Sequence, residues 1–203
     1  MQKEFIGSGD HAVATLQANT GAKENLAADG HYHVVCRDKG GNVKWEDGFE
    51  NQVMQVGKIL MMNTTLFTAS GYTLVGPYLG LITSSTGYSP TDTMASHSDW
   101  TEFANYTVGG SAVRGTAVFT TATGNNVTTS GSNIVTSAAT AITYTITGSG
   151  GVVTGCFLVT GSGASSTIGS TTGTLWSAGG FAVAKTTTAG DTVTCTYTTT
   201  ATS

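Results

Sequence analysis

The chain has 203 residues, of which only 10% are charged, and it carries 39 Thr, 18 Ser, 28 Gly and 2 Pro at a net charge of −4. That length supports one domain with a real core, burying roughly 70% of its unfolded surface, and the Thr and Gly content favours strands joined by tight turns. The negative balance argues against nucleic-acid binding through a basic patch, and no apolar run reaches the roughly 18 residues that a membrane helix needs.

Met1 to Asp10 lacks a basic start followed by an apolar block, so no secretory signal is expected. Residues 1–30 are small and polar, with a short alternation at His11 to Gln17. Such a segment buries too little surface alone, and it is expected to form an extended N-terminal arm that orders against a neighbour. Residues 31–203 are expected to form a single Thr/Gly-rich, mainly β domain.

His31 to Arg37 alternates, with Tyr32, Val34 and Cys36 on one face and His31, His33, Val35 and Arg37 on the other. This predicts a strand with one buried side. Asp38-Lys39-Gly40-Gly41-Asn42 supplies residues that tolerate a reversal, and Asn42 to Glu46 returns as the second strand of a hairpin. Asp47-Gly48 then reads as a break. A helix is predicted over about 51–63, capped by Glu50 or Asn51, with Val53, Val56 and Leu60 at helical spacing and Phe49 packed on Met54 as a staple. Gly57 weakens that helix by roughly 1 kcal/mol relative to Ala, which points to a close packing contact there. Eight of the twenty charged residues lie between Arg37 and Lys58.

Tyr72 to Thr83 reads as a core strand with a kink at Gly76-Pro77. Thr91 to Val108 reads as a long loop with a helical turn near Met94 to His97. From Gly115 to Ser203 only Lys185 and Asp191 are charged. Strands are predicted at 112–121, 134–137, 140–147, 152–160, 175–178, 181–184 and 192–199. Ile142, Tyr144 and Ile146 oppose Thr143, Thr145 and Thr147, and Val193, Cys195 and Tyr197 oppose threonines, so the Thr faces are solvated or shared with a neighbour. Short strands at this spacing with Gly-rich turns suggest a β-sandwich or jelly-roll-like domain.

Catalytic and metal-binding patterns are weak. There is no GxSxG, P-loop, GxGxxG or HExxH. His31 and His33 share a strand face and could ligate a divalent ion, but no third ligand is evident and a solvated face is the plainer reading. Ser96-His97-Ser98-Asp99 invites a triad, which needs tertiary geometry and an oxyanion hole; a polar loop is preferred over a hydrolase. Trp45, Trp100 and Trp176 could stack on a sugar, against core packing or an interface anchor as the commoner roles. Asp38, Asp47 and Asp92 lack the dense spacing of a calcium loop. Cys36, Cys156 and Cys195 form no CxxC, and an odd count without a signal argues for reduced thiols made in a cytoplasm, with one bridge as the alternative. No enzyme activity, metal or cofactor is expected.

Three stretches carry a resemblance: HVVCRDKGGNVKWEDGFENQVMQVGK at 33–58, DTMASHSDWTE at 92–102 followed by Tyr106 and Arg114, and GCFLVTGSGASSTIGSTTGTLWSAGGFAVAKTTTAGDTVTCTYT at 155–198. They resemble virion structural proteins of tailed bacteriophages, small proteins encoded near the major capsid protein. The likeness spans most of 31–199 and leaves the arm outside. It implies a capsid decoration, or cement, protein made in the host bacterial cytoplasm and bound to the outer surface of the head, with the major capsid protein as partner. A homo-oligomer, by analogy a trimer, is expected. The implied contacts are Phe5, Ile6, Val13 and Leu16 of the arm, with Arg37, Lys39, Trp45, Trp100 and Arg114. The rival reading is a tail or fibre component acting as a receptor-binding adhesin.

Overall fold

The structure, a computed structural model, describes residues 27–66, 75–120, 123–126 and 133–202. Twelve strands and one helix lie among them: β1 (Ala27–Arg37), β2 (Val43–Val53), α1 (Gln55–Leu66), β3 (Tyr78–Ser85), β4 (Trp100–Glu102), β5 (Tyr106–Thr107), β6 (Gly115–Thr116), β7 (Thr123–Asn126), β8 (Asn133–Ala138), β9 (Ile142–Ile146), β10 (Gly151–Thr160), β11 (Thr174–Thr187) and β12 (Thr192–Thr202). All pairings are antiparallel. The domain is mainly β and sandwich-like, as its composition predicts.

The sheet curls into two layers that share β2. One layer runs β7-β8-β12-β1-β2, with β9 beside the first half of β12 and β5 beyond β9. The other runs β2-β11-β10-β3-β4, with β6 on β3. β2 pairs with β1 through Asn51 and then with β11 at Gln52 and Val53, so one strand turns the corner between the layers.

Alternation on the strands fills the space between the layers. Tyr32, Val34 and Cys36 of β1, Ile142, Tyr144 and Ile146 of β9, and Val193, Cys195 and Tyr197 of β12 are all buried there, opposite Leu79 and Leu81 of β3 and Val153, Cys156 and Leu158 of β10. The other face of the second layer forms a further core. Ile82, Phe157, Val159, Leu175 and Ala178 pack under Met54, Met94, Trp100 and Ala164. Both faces of β10 are therefore covered, which explains its near-continuous apolar run.

The β1–β2 hairpin forms as predicted. Asp38 Oδ1 accepts from the backbone N–H of Gly40 (2.8 Å) and Asn42 (2.9 Å), and Gly41 takes the positive φ of 84° that the reversal requires. The bonds from the Asn42 side chain and backbone hold the Asp38 carboxyl below its ordinary range.

Several boundaries differ from the sequence expectation. Asp47-Gly48 does not stop β2; Gly48 pairs with His33, Asp47 with Val34, and the strand continues to Val53. Continuous pairing with β1 from Val43 to Asn51 outweighs the local turn preference of Asp-Gly. The helix consequently spans Gln55–Leu66 rather than 51–63, and Asn51 is a strand residue. Its first N–H groups are satisfied from other elements, with Met54 N donating to Trp176 O and Gln55 N to Pro90 O, each 2.9 Å. An Asn cap is not needed when tertiary carbonyls serve the orphan donors. Phe49 does not staple Met54; it stacks on Tyr32 at 5.2 Å and meets Phe181 edge-on at 5.0 Å.

The separate strands expected at 175–178 and 181–184 belong to one strand, β11, which runs through Gly179-Gly180 and then bulges over 181–184, where its register to β10 shifts. The helical turn expected at Met94 to His97 is a tight turn closed by the Thr93–Ser96 bridge. The strand expected at 112–121 reduces to Gly115–Thr116, because this stretch spends its backbone groups on crossing contacts: Arg114 N donates to Ser166 O and Ala117 N to Pro77 O.

One buried carboxylate ties the hairpin end to the β11–β12 turn. Asp191, 2% exposed, accepts from Lys44 Nζ at 2.5 Å and from the Thr188 N–H and hydroxyl at 2.8 and 3.0 Å. Burial pushes this carboxyl up, but the bonds from Lys44 and Thr188 outweigh it and leave it below the ordinary range. A carboxyl depressed in the folded state stabilises the fold above its unfolded pKa of about 3.9 and loses that contribution as pH falls through the lower folded value. Asp191→Asn should cost about 1–3 kcal/mol at pH 7. In thermal melts from pH 7 to pH 2, the gap between wild type and variant should narrow below about pH 4; a gap independent of pH would rule this pairing out.

Candidate interaction surface

The outer face of the first layer is set by strand register. Since Val193, Cys195 and Tyr197 point inward, Thr192, Thr194, Thr196, Thr198 and Thr200 of β12 point outward, joined by Thr143 and Thr145 of β9. Four rows cross the strands: Thr145–Thr192–Arg37, Thr143–Thr194–Val35–Glu46, Thr196–His33–Gly48 and Thr198–His31–Glu50. Strands about 4.8 Å apart, with alternate residues about 6.8 Å apart, make this patch on the order of 500 Å². The β9 and β12 half carries hydroxyls and no charge. The β1 and β2 half carries two cross-strand pairs, His31 Nδ1 with Glu50 Oε1 at 3.0 Å and His33 Nε2 with Glu46 Oε1 at 2.9 Å.

These pairs revise the metal reading of His31 and His33. The two histidines share a face, but each ring nitrogen that is engaged meets a different carboxylate. No group of three His, Cys, Asp or Glu side chains able to hold an ion occurs among the described residues. Sequence reasoning missed Glu50 as a partner because it ended the strand at Asp47, and missed Glu46 because it stands opposite Val35 and reaches His33 diagonally. Once the hairpin register is carried past Gly48, Glu50 falls opposite His31.

The residues proposed as contacts from the sequence separate into three groups. Phe5, Ile6, Val13 and Leu16 lie outside the described residues. Arg37 and Lys39 are exposed at the hairpin end, where the Arg37 guanidinium donates to Gly41 O at 3.1 Å. Trp45, Trp100 and Arg114 are taken up by the chain's own packing. Trp45 is half-buried, donates Nε1–H to Thr186 O at 3.1 Å and meets Phe181 edge-on at 5.6 Å, closing the gap where β2 and β11 diverge.

Trp100 and Arg114 are corrections, since both are buried and unable to anchor a partner in this fold. Trp100 is 3% exposed and donates Nε1–H to Asp92 Oδ2 at 3.1 Å. The Arg114 side chain is fully buried. Its Nε and Nη2 donate to the two Glu102 oxygens, each at 2.8 Å, while Nη1 reaches Ser165 O at 3.0 Å and Nη2 also reaches Ser170 O at 2.7 Å. Glu102 Oε2 further accepts from Gly169 N at 2.7 Å, so the ion pair fastens the 161–173 loop across the second layer.

The remaining chemical candidates have structural partners as well. His97 lies flat against Trp100, with ring centres 3.8 Å apart, and its Nδ1 bonds Trp100 O at 3.1 Å rather than Asp99. It borders a 270 Å³ hollow with Glu102, Arg114 and Ser170, whose hydrogen-bonding groups already serve the loop. Trp176 donates Nε1–H to the Tyr197 hydroxyl at 3.1 Å and lines a 290 Å³ apolar cavity with Leu60, Pro77, Phe119 and Leu158. The three tryptophans thus serve three different parts of the fold and make no common stacking platform.

The described residues define a mainly β, sandwich-like domain with a Thr-rich outer sheet face built by the register of β9, β12, β1 and β2. Comparison with protein-family models, with curated proteins and with solved structures gives no match to this chain. No helix among the described residues is long and apolar enough to cross a membrane.

Proposed function

We propose that this chain is a structural component of a tailed-phage virion, a decoration protein that binds the outer surface of the capsid lattice. The outer face of β9, β12, β1 and β2 would be its contact side. The observation that carries this reading is that face: regular in register, hydroxyl-rich, and continuous with the hairpin that holds one of the phage-like stretches. At on the order of 500 Å² it falls below the roughly 800 Å² per partner of a stable pairwise interface. Such a patch suits weak contacts that become tight when a lattice presents many together. Threonine hydroxyls fit a wet, hydrogen-bonded contact with a neighbouring subunit. The exposed cations Arg37 and Lys39 sit at one end of the patch, available for acidic groups on the lattice.

The major capsid protein is the proposed partner, and a homo-oligomer, a trimer on local threefold axes, is the proposed assembly. Thr145→Lys together with Thr194→Lys places two charges in the uncharged half of the face. Solvent-facing substitutions of this kind change stability by no more than about 0.5 kcal/mol, so the melting temperature should hold while occupancy on heads stripped of this protein drops at least tenfold. Wild-type occupancy by the double variant would remove this face from the contact.

A further inference from the structure

Two of the three thiols touch. Cys156 on β10 and Cys195 on β12 belong to opposite layers, both are fully buried, and their sulfurs are 3.8 Å apart. In the strand registers Cys156 stands between Leu81 and Gly179, and Cys195 between Val34 and Ile142, so the pair sits at the centre of the inter-layer core. Cys36 is buried too, beside Lys44 and Asp191 rather than another sulfur. A disulfide needs its sulfurs about 2.05 Å apart. From 3.8 Å, each sulfur has to advance by under about 1 Å.

We propose that Cys156 and Cys195 form an oxidation site that closes to a disulfide between the two layers in exchange with a small external disulfide such as oxidised glutathione. The deprotonated sulfur of one cysteine attacks the external disulfide, releasing one small thiolate and forming a mixed disulfide. The second cysteine's sulfur then displaces the other small thiolate, and the Cys156–Cys195 bond forms. Two electrons pass from the pair to the external disulfide, and the two cysteine protons end on the two released thiols. Burial excludes the reagent from the closed sandwich and pushes the Cys156 thiol up, so exchange proceeds while the layers are apart, during folding, and is slow in the folded protein. The bond would close a loop between positions 39 apart in sequence. It should therefore raise the melting temperature by about 10 °C. This site is independent of the lattice reading, and its test uses the isolated chain.

The full chain is unfolded, refolded in a mixture of oxidised and reduced glutathione, acid-quenched, denatured and alkylated with iodoacetamide. The expected product takes one carbamidomethyl group, on Cys36, and yields a linked Cys156–Cys195 peptide. Protein refolded in reductant takes three. The oxidised form should melt about 10 °C higher, and unfolding it and refolding it in reductant should abolish the gain. Cys36→Ser should behave as wild type, whereas Cys195→Ala should show no gain under oxidation. Three alkylated thiols after oxidative refolding, a link through Cys36, or a persistent glutathione adduct would each overturn the proposal.

Discussion

Glu102→Ala should be the most damaging single substitution in this fold, lowering stability by about 3–5 kcal/mol and the melting temperature by about 10 °C or more. Glu102 accepts both arms of a guanidinium that has no exposure to water. Removing it leaves Arg114 charged, buried and held only by the carbonyls of Ser165 and Ser170. The Phe157 ring, 5.1 Å from the guanidinium carbon, cannot substitute for a carboxylate. The 161–173 loop also loses its Gly169 anchor. Differential scanning calorimetry of the single variant, and of Glu102→Ala combined with Arg114→Met, tests this. The double variant should recover much of the loss, because an apolar side chain in place of the stranded charge removes the main cost. Equal destabilisation of both variants would mean that the ion pair contributes little beyond packing.

Gly57→Val should detach the N-terminal turn of α1 from β11. A side chain's first carbon at position 57 would lie 2.7 Å from the backbone oxygen of Trp176 and 3.1 Å from its Cα. The helix meets the strand backbone to backbone here, and neither obstacle can rotate away. A helical glycine normally costs roughly 1 kcal/mol relative to Ala, so on propensity alone Gly57→Ala would stabilise. Forcing atoms into a closed contact costs about 1–3 kcal/mol, and against a rigid carbonyl the clash should win. Gly57→Ala should destabilise by about 1 kcal/mol and Gly57→Val by about 3 kcal/mol or more, read by denaturant midpoints. A stabilised Gly57→Ala would show that the helix sits further from the sheet.

The parts of the fold that were legible in the sequence follow from local periodicity. Tyr32, Val34 and Cys36 alternate with His33, Val35 and Arg37, and Ile142, Tyr144 and Ile146 alternate with threonines; the first-named residues of each set are the inward faces of β1 and β9. Gly57 signalled a close approach because a helix keeps such a glycine only where something fills the space of its side chain. The helix start was hidden because Asn51, a good cap in isolation, is held in β2 by pairing that continues to β11, while the Pro90 carbonyl takes over the capping role. Arg114 looked like a surface cation because its partners are a carboxylate twelve positions away and two carbonyls more than fifty positions away. A hint was present, since Arg114 is the last charge before a long uncharged stretch. The Thr face was visible strand by strand, but its extent required the register of β9, β12, β1 and β2 together.

The most direct test of the lattice reading is the copy number of this chain per purified virion, measured by quantitative mass spectrometry against the major capsid protein. A decoration protein should be present at a ratio comparable to the capsid protein. A handful of copies per particle would contradict that role and assign the chain to the tail or a fibre, and absence from particles would contradict a virion role altogether.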